Sequence, residues 1–152
     1  MKAKAKAKSD EMGLLNNSIL KGDGNLTGFL GELVALEVLG GKEHNTYDYD
    51  IVLDNGKTVD VKSKKTSVAP KTYYECSVAA YNIKQKCDYY CFVRIKTDYT
   101  CGWVLGVYPK QKYYEDAVFL KKGQIDTDNN YTVKADCYNI RIDKLSEISI
   151  CA

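Results

Sequence analysis

The stretch Tyr47–Lys65, YDYDIVLDNGKTVDVKSKK, decides how the rest of the chain is read. It contains a turn signal, Asp54-Asn55-Gly56, between two short runs that alternate as strands do. Asp60 and Lys62 fall on one face of the second run, and Val59, Val61 and Ser63 on the other. On the first run Tyr49, Ile51 and Leu53 share a face opposite Asp48, Asp50 and Val52. Carboxylates and an amine inside apolar strands are costly unless they pair or hold a metal ion. Loop length decides whether the two acids meet. A two-residue Asn55-Gly56 turn pairs Ile51 with Asp60 and leaves Asp50 and Asp60 on opposite faces. A three-residue loop with Gly56 left-handed, as a bulge, pairs Leu53 with Lys57 and sets Asp50 across from Asp60. The longer loop is the expectation, because it gathers Asp50, Asp60 and Lys62 on one surface.

Upstream, Ser9-Asp10-Glu11 caps a short helix expected through Leu20, ended by Gly22 and Gly24. A stronger helix begins at Asn25, in NLTGFLGELVALEVLGG. Leu26, Phe29, Leu30, Leu33 and Val34 recur at helical spacing, and Gly40-Gly41 supplies the stop. Glu32 lies off that stripe, with Gly28, Gly31, Ala35 and Leu36 near it. Each glycine costs a helix about 1 kcal/mol against alanine. Close approach of a strand is one reason for them, and room for a phosphate is another.

Downstream, the pattern predicts a strand over Thr72–Ala79, a short helix over Ala80–Lys86, and strands over Asp88–Ile95 and Cys101–Tyr108. A short helix over Lys110–Asp116, a loop over Gly123–Asn130, a strand over Tyr138–Ile142 and a helical turn over Asp143–Ile148 follow. The order predicts an α/β (α+β) fold, a central mixed β-sheet flanked by helices.

The chain has 152 residues, read as a flexible basic tail (1–10) and a single domain (11–152). The tail, MKAKAKAKSD, has no apolar segment after its lysines and does not read as a signal peptide; its alternative role is a basic arm touching phosphates. With 22 basic and 20 acidic residues, the net charge of +2 does not by itself argue for nucleic acid. No run of 18 apolar residues is present, so no membrane span is expected. Six cysteines without a C-x-x-C pair, and the single histidine His44, argue against zinc. Reduced thiols and a cytoplasmic setting are the expectation.

Glu32 on a helix, Asp50 on a strand and Asp60-x-Lys62 on the next strand together suit a divalent cation beside an amine. Carboxylates without histidine match Mg²⁺, with Mn²⁺ as a substitute. Such an ion lowers the pKa of a bound water and neutralises charge on a scissile phosphate. Lys62 either orients or deprotonates the attacking water, or stabilises the transition-state charge as a cation. Asp48 shares the face of Asp50 and is the alternative ligand.

The pattern Glu32 … Asp50 … Asp60-Val61-Lys62 resembles the PD-(D/E)XK nuclease superfamily, the restriction-endonuclease-like fold. In that family a helical Glu precedes a hairpin carrying Asp and then (Asp/Glu)-x-Lys, and the nine residues between Asp50 and Asp60 fit its range. The resemblance covers residues 25–95. Tyr49 stands where the family often has proline, and the chain after Tyr108 is unaccounted for. What the resemblance implies is metal-dependent hydrolysis of DNA phosphodiester bonds, with Glu32, Asp50, Asp60 and Lys62 catalytic and the three acids holding the metal. It also implies a polar residue on the helix over residues 80–86, for which Lys84 and Gln85 are the candidates. Lys57, Lys64 and Lys65 would then face DNA-backbone phosphates. An endonuclease reading DNA by backbone and shape, with a homodimer favoured for cutting both strands, is the expected function. The alternative is an inactive nucleic-acid-binding or protein-interaction module of the same fold. Asp60 and Lys62 would then be a solvated salt bridge of little worth, and Glu32 an exposed helix residue. The thirteen tyrosines are better explained by strand preference than by base stacking.

Overall fold

Nine residues of one polar-apolar run, Thr58–Thr66, form the longest strand, and the sheet grows from both of its edges. The computed structural model describes residues 23–44, 46–126 and 131–145. The basic tail, the expected helix through Leu20, the end of the closing turn and Cys151 lie outside the described residues. Helix α1 spans Asp23–Leu39. After it come β1 (Lys42–Glu43), β2 (Ile51–Val52), β3 (Thr58–Thr66), β4 (Glu75–Ala79), a 3₁₀ turn (Ala80–Lys84) and β5 (Tyr89–Lys96). Next are β6 (Gly102–Pro109), α2 (Lys110–Asp116), β7 (Val118–Leu120), β8 (Ile125–Asp126), β9 (Tyr131–Thr132), β10 (Cys137–Arg141) and a final 3₁₀ turn (Ile142–Lys144).

A five-stranded mixed sheet runs β1-β2-β3-β5-β6, with β3 and β5 parallel and the other neighbours antiparallel. A second sheet, β4-β10-β7, is built from strands far apart in sequence, and β8 pairs with β9. The fold is therefore mixed α+β around a mixed central sheet, as expected. β1, β7, β8 and β9 were not expected; each has only two or three residues, too few to show a period. The expected helix over Ala80–Lys86 is a shorter 3₁₀ turn.

The hairpin takes the longer loop. Ile51 pairs with Val59 and Val52 with Thr58, Leu53 N donates to Lys57 O at 2.8 Å, and Gly56 has φ of 85°. That left-handed conformation is why a glycine stands there.

Strand alternation sorts the central sheet into two cores. Ile51, Val59, Cys91, Val93, Ile95 and Val107 pack with Leu26, Phe29, Leu30, Ala35 and Leu39 of α1. Gly31 makes the close fit possible: a Cβ there would lie 1.7 Å from Ser63 Oγ. Strand approach thus explains Gly31, whereas Gly28 faces open space. On the opposite face Tyr90 and Phe92 pack with Tyr108, Tyr113, Cys76, Val78 and Ile140, under α2 and the second sheet. Tyr113 is fully buried and donates its hydroxyl to Tyr138 O at 2.6 Å. Burying each such ring contributes about 1.5–3 kcal/mol against leaving it in water. The tyrosines are chiefly core residues, and residues after Tyr108 cover this face.

Candidate active site

Asp50 stands where β2 leaves its ladder. Its backbone N–H donates to Val59 O at 2.9 Å, and its Oδ2 accepts the Val61 amide at 2.7 Å. β2 has two residues, and beyond it the Asp50 side chain rather than the backbone takes the Val61 amide in the middle of β3. The side chain that makes this contact also lies against Asp60 and Glu32.

Asp60 is 4% exposed, in the interior of β3. Parallel pairing places it beside Tyr90 and places Lys62 beside Phe92, on the aromatic face of the sheet. Its Oδ2 lies 2.8 Å from Lys62 Nζ. This is an ion-pair contact without hydrogen-bond alignment at that oxygen. Lys62 Nζ also donates to Gln85 Oε1 at 3.0 Å and lies 5.5 Å from the centre of the Tyr90 ring. Gln85, 5% exposed, is held in turn through Nε2 on Tyr47 O at 2.7 Å.

Electrostatics report the crowding. Burial, then the charges of Asp60 and Glu32, push the Asp50 carboxyl from the ordinary 3.8 up to about 9, against the Val61 amide, which lowers it. Burial also raises Asp60, and Lys62 opposes that shift. Glu32 is half-buried on α1 and acts on Asp50 through both charge and a hydrogen bond. Asp60 and Glu32 thus both act on Asp50, and Lys62 pairs with Asp60, although these residues come from a helix and from the hairpin.

Among the described residues, no three His, Cys, Asp or Glu side chains stand in ready metal-ligand geometry. The donor set nevertheless fits a divalent cation in its chemistry. A buried carboxyl raised by burial and by two neighbouring acids is relieved by a positive charge beside it, and carboxylate oxygens suit Mg²⁺.

Two secondary candidates do not join the cluster. Asp48 Oδ1 accepts the Lys86 amide at 2.9 Å, which ties it to the backbone after the 3₁₀ turn. Lys84 is exposed, because the short 3₁₀ turn directs only Gln85 inward. The lysines expected to line one DNA-facing surface diverge. Lys64 and Lys65 are successive strand residues and point to opposite faces. Lys65 lies over the Tyr99 ring, and Lys57, at the hairpin loop, lines a separate cleft with Lys110. Sequence reading missed the Tyr47 carbonyl that anchors Gln85, a backbone contact with no residue signal. It also missed Arg94, whose only mark is a charge inside the apolar run DYYCFVRI.

The five described cysteines are free thiols. No described helix is long and apolar enough to cross a membrane. Compared with known proteins, the chain matches no family model and no curated protein.

Proposed function

We propose that this chain is a divalent-metal-dependent nuclease of restriction-endonuclease-like fold, hydrolysing DNA phosphodiester bonds and reading DNA by backbone and shape. The observation that carries the reading is the convergence on Asp50 of Glu32 and Asp60, which add to burial in pushing its carboxyl to about 9, beside the amine of Lys62. The order helix, antiparallel hairpin, parallel strand supports the fold assignment.

Asp50, Asp60 and Glu32 would hold Mg²⁺, or Mn²⁺ in its place. When bound, the ion neutralises phosphate charge and makes a water more acidic. Lys62 carries three N–H donors, of which Gln85 takes one, while Asp60 balances its charge as an ion pair at 2.8 Å. The remaining donors are left for a phosphoryl oxygen or for the attacking water. Hydrolysis forms one P–O bond from water and breaks one ester P–O bond, and a fixed ammonium stabilises the charge that builds between them. Gln85 and the Tyr90 ring keep that ammonium in place.

The test is cleavage of single-stranded, duplex, flapped and four-way DNA with Mg²⁺ or Mn²⁺ and with chelator. Metal-dependent cleavage by the wild type, lost in Asp60→Asn and Lys62→Ala, is expected. A wild type inert on every substrate would instead favour an inactive nucleic-acid-binding or interaction module.

A further inference from the structure

We propose that the cavity between the two larger sheets, floored by Lys64 and Arg94, binds a phosphate-bearing ligand of nucleotide size. Lys64 and Arg94 are register partners on the parallel strands β3 and β5, so their side chains leave the same face of the sheet side by side. Arg94 is 7% exposed. Its guanidinium has five donors, and the protein takes one of them, through Glu75 O at 2.8 Å, with the Tyr74 ring 6.0 Å away. Neither cation has a carboxylate ion pair among the described residues. A buried cation next to a second one is costly without an anion. Burial and the neighbouring Arg94 lower Lys64, and burial lowers Arg94, with Cys76 acting against both shifts.

The space above them is about 630 Å³, within the range of small-molecule sites. Ser77 and Asn139, paired across β4 and β10, line it with polar groups, and Tyr74 and Tyr131 line it with rings. Phosphate on the two cations and a base against the rings fit that division. Glu75 and Asp126 also line the cavity; each is already engaged in a contact of its own, and Glu75 acts on Lys64 against its lowering. The ligand has two sources with one chemistry, a free nucleotide or the phosphorylated end of a nucleic-acid strand. The site is separate from Asp50 and Asp60, and binding there needs no divalent cation.

The experiment is calorimetric titration of the full chain in chelator. The probes are inorganic phosphate, AMP, adenosine, and one single-stranded oligonucleotide with a 5′-phosphate or a 5′-hydroxyl. AMP is expected to bind, adenosine not to, and Lys64→Gln to weaken AMP by about tenfold or more, the loss of one charge-assisted contact. Arg94→Gln is expected to do the same; Lys64→Gln, at a residue far more open to solvent than Arg94 although its amine is partly desolvated, keeps the test valid if the arginine variant does not fold. Preference of about tenfold for the 5′-phosphate over the 5′-hydroxyl strand assigns the site to strand ends; AMP binding without that preference assigns it to free nucleotide. Equal binding of adenosine and AMP, no binding by any phosphate probe, or unchanged affinity in Lys64→Gln overturns the proposal. Chelator silences hydrolysis, so each of these results leaves the nuclease reading untouched.

Discussion

Lys62 Nζ donates to Gln85 Oε1 at 3.0 Å across 23 residues of chain, and the same amide is pinned to Tyr47 O at 2.7 Å. The lysine of the Asp-x-Lys pattern is thus steered from outside the hairpin. Gln85→Leu is expected to lower kcat for DNA cleavage about tenfold while KM changes little. Two buried hydrogen bonds are lost with it, at a cost of about 1–3 kcal/mol in urea unfolding. An unchanged kcat would mean that Gln85 does not position the amine.

Asp50 and Asp48 separate the two possible ligands. Asp50→Asn is expected to lower metal-dependent cleavage about a hundredfold or more, the scale of losing several kcal/mol of charge stabilisation. Asp48→Ala removes only the bond to the Lys86 amide and is expected to keep activity within a few-fold. The reverse ranking would move the site.

The folded chain holds a proton on Asp50 up to about 9, whereas an ordinary carboxyl gives it up near 3.8. A raised value stabilises the fold fully below the unfolded value and ceases to do so as pH climbs through the folded one. In chelator, stability is therefore expected to fall between pH 4 and pH 9, by at most about 1.4 kcal/mol per pH unit from this group. Asp50→Asn should flatten the slope, and so should millimolar Mg²⁺ on the wild type. Thermal unfolding against pH measures both, and a wild-type curve without slope would contradict the crowding.

Gly31→Ala places a methyl group 1.7 Å from Ser63 Oγ and 2.8 Å from Ser63 Cβ. Overpacking of this kind costs about 1–3 kcal/mol, and it also lifts Glu32 from Asp50. Ser63→Gly in the same chain is expected to recover part of the loss, read from urea midpoints. Gly28→Ala, facing open space, should be neutral or stabilising.

The hairpin was legible because two local facts agree: the polar-apolar alternation of residues 58–63, and a glycine where φ must be positive. The strands carrying DYYCFVRI and CGWVLGVY were legible as long apolar runs. What local pattern does not contain is pairing. β4 finds β10 about sixty residues away, and Arg94 meets Lys64 only because β3 and β5 run parallel. Asp50 was placed correctly beside Asp60, yet the first strand was read too long, because a side chain that caps a neighbour looks in sequence like one more strand residue. The three lysines were grouped by proximity in sequence, and alternation then separated two of them.

The pairing of β4 with β10 also orders the events of folding. Among the described residues, Glu75–Ala79 has no hydrogen-bonded strand neighbour except Cys137–Arg141. On a ribosome, α1 and the five-strand sheet can close with the acidic cluster in place while β4 still dangles as a bare edge. Only when the last strand emerges is the aromatic layer roofed and the Lys64–Arg94 chamber walled. A chain cut before Cys137 would thus lack both the partner of β4 and Ile140, and would leave the aromatic face and a strand edge open to self-association.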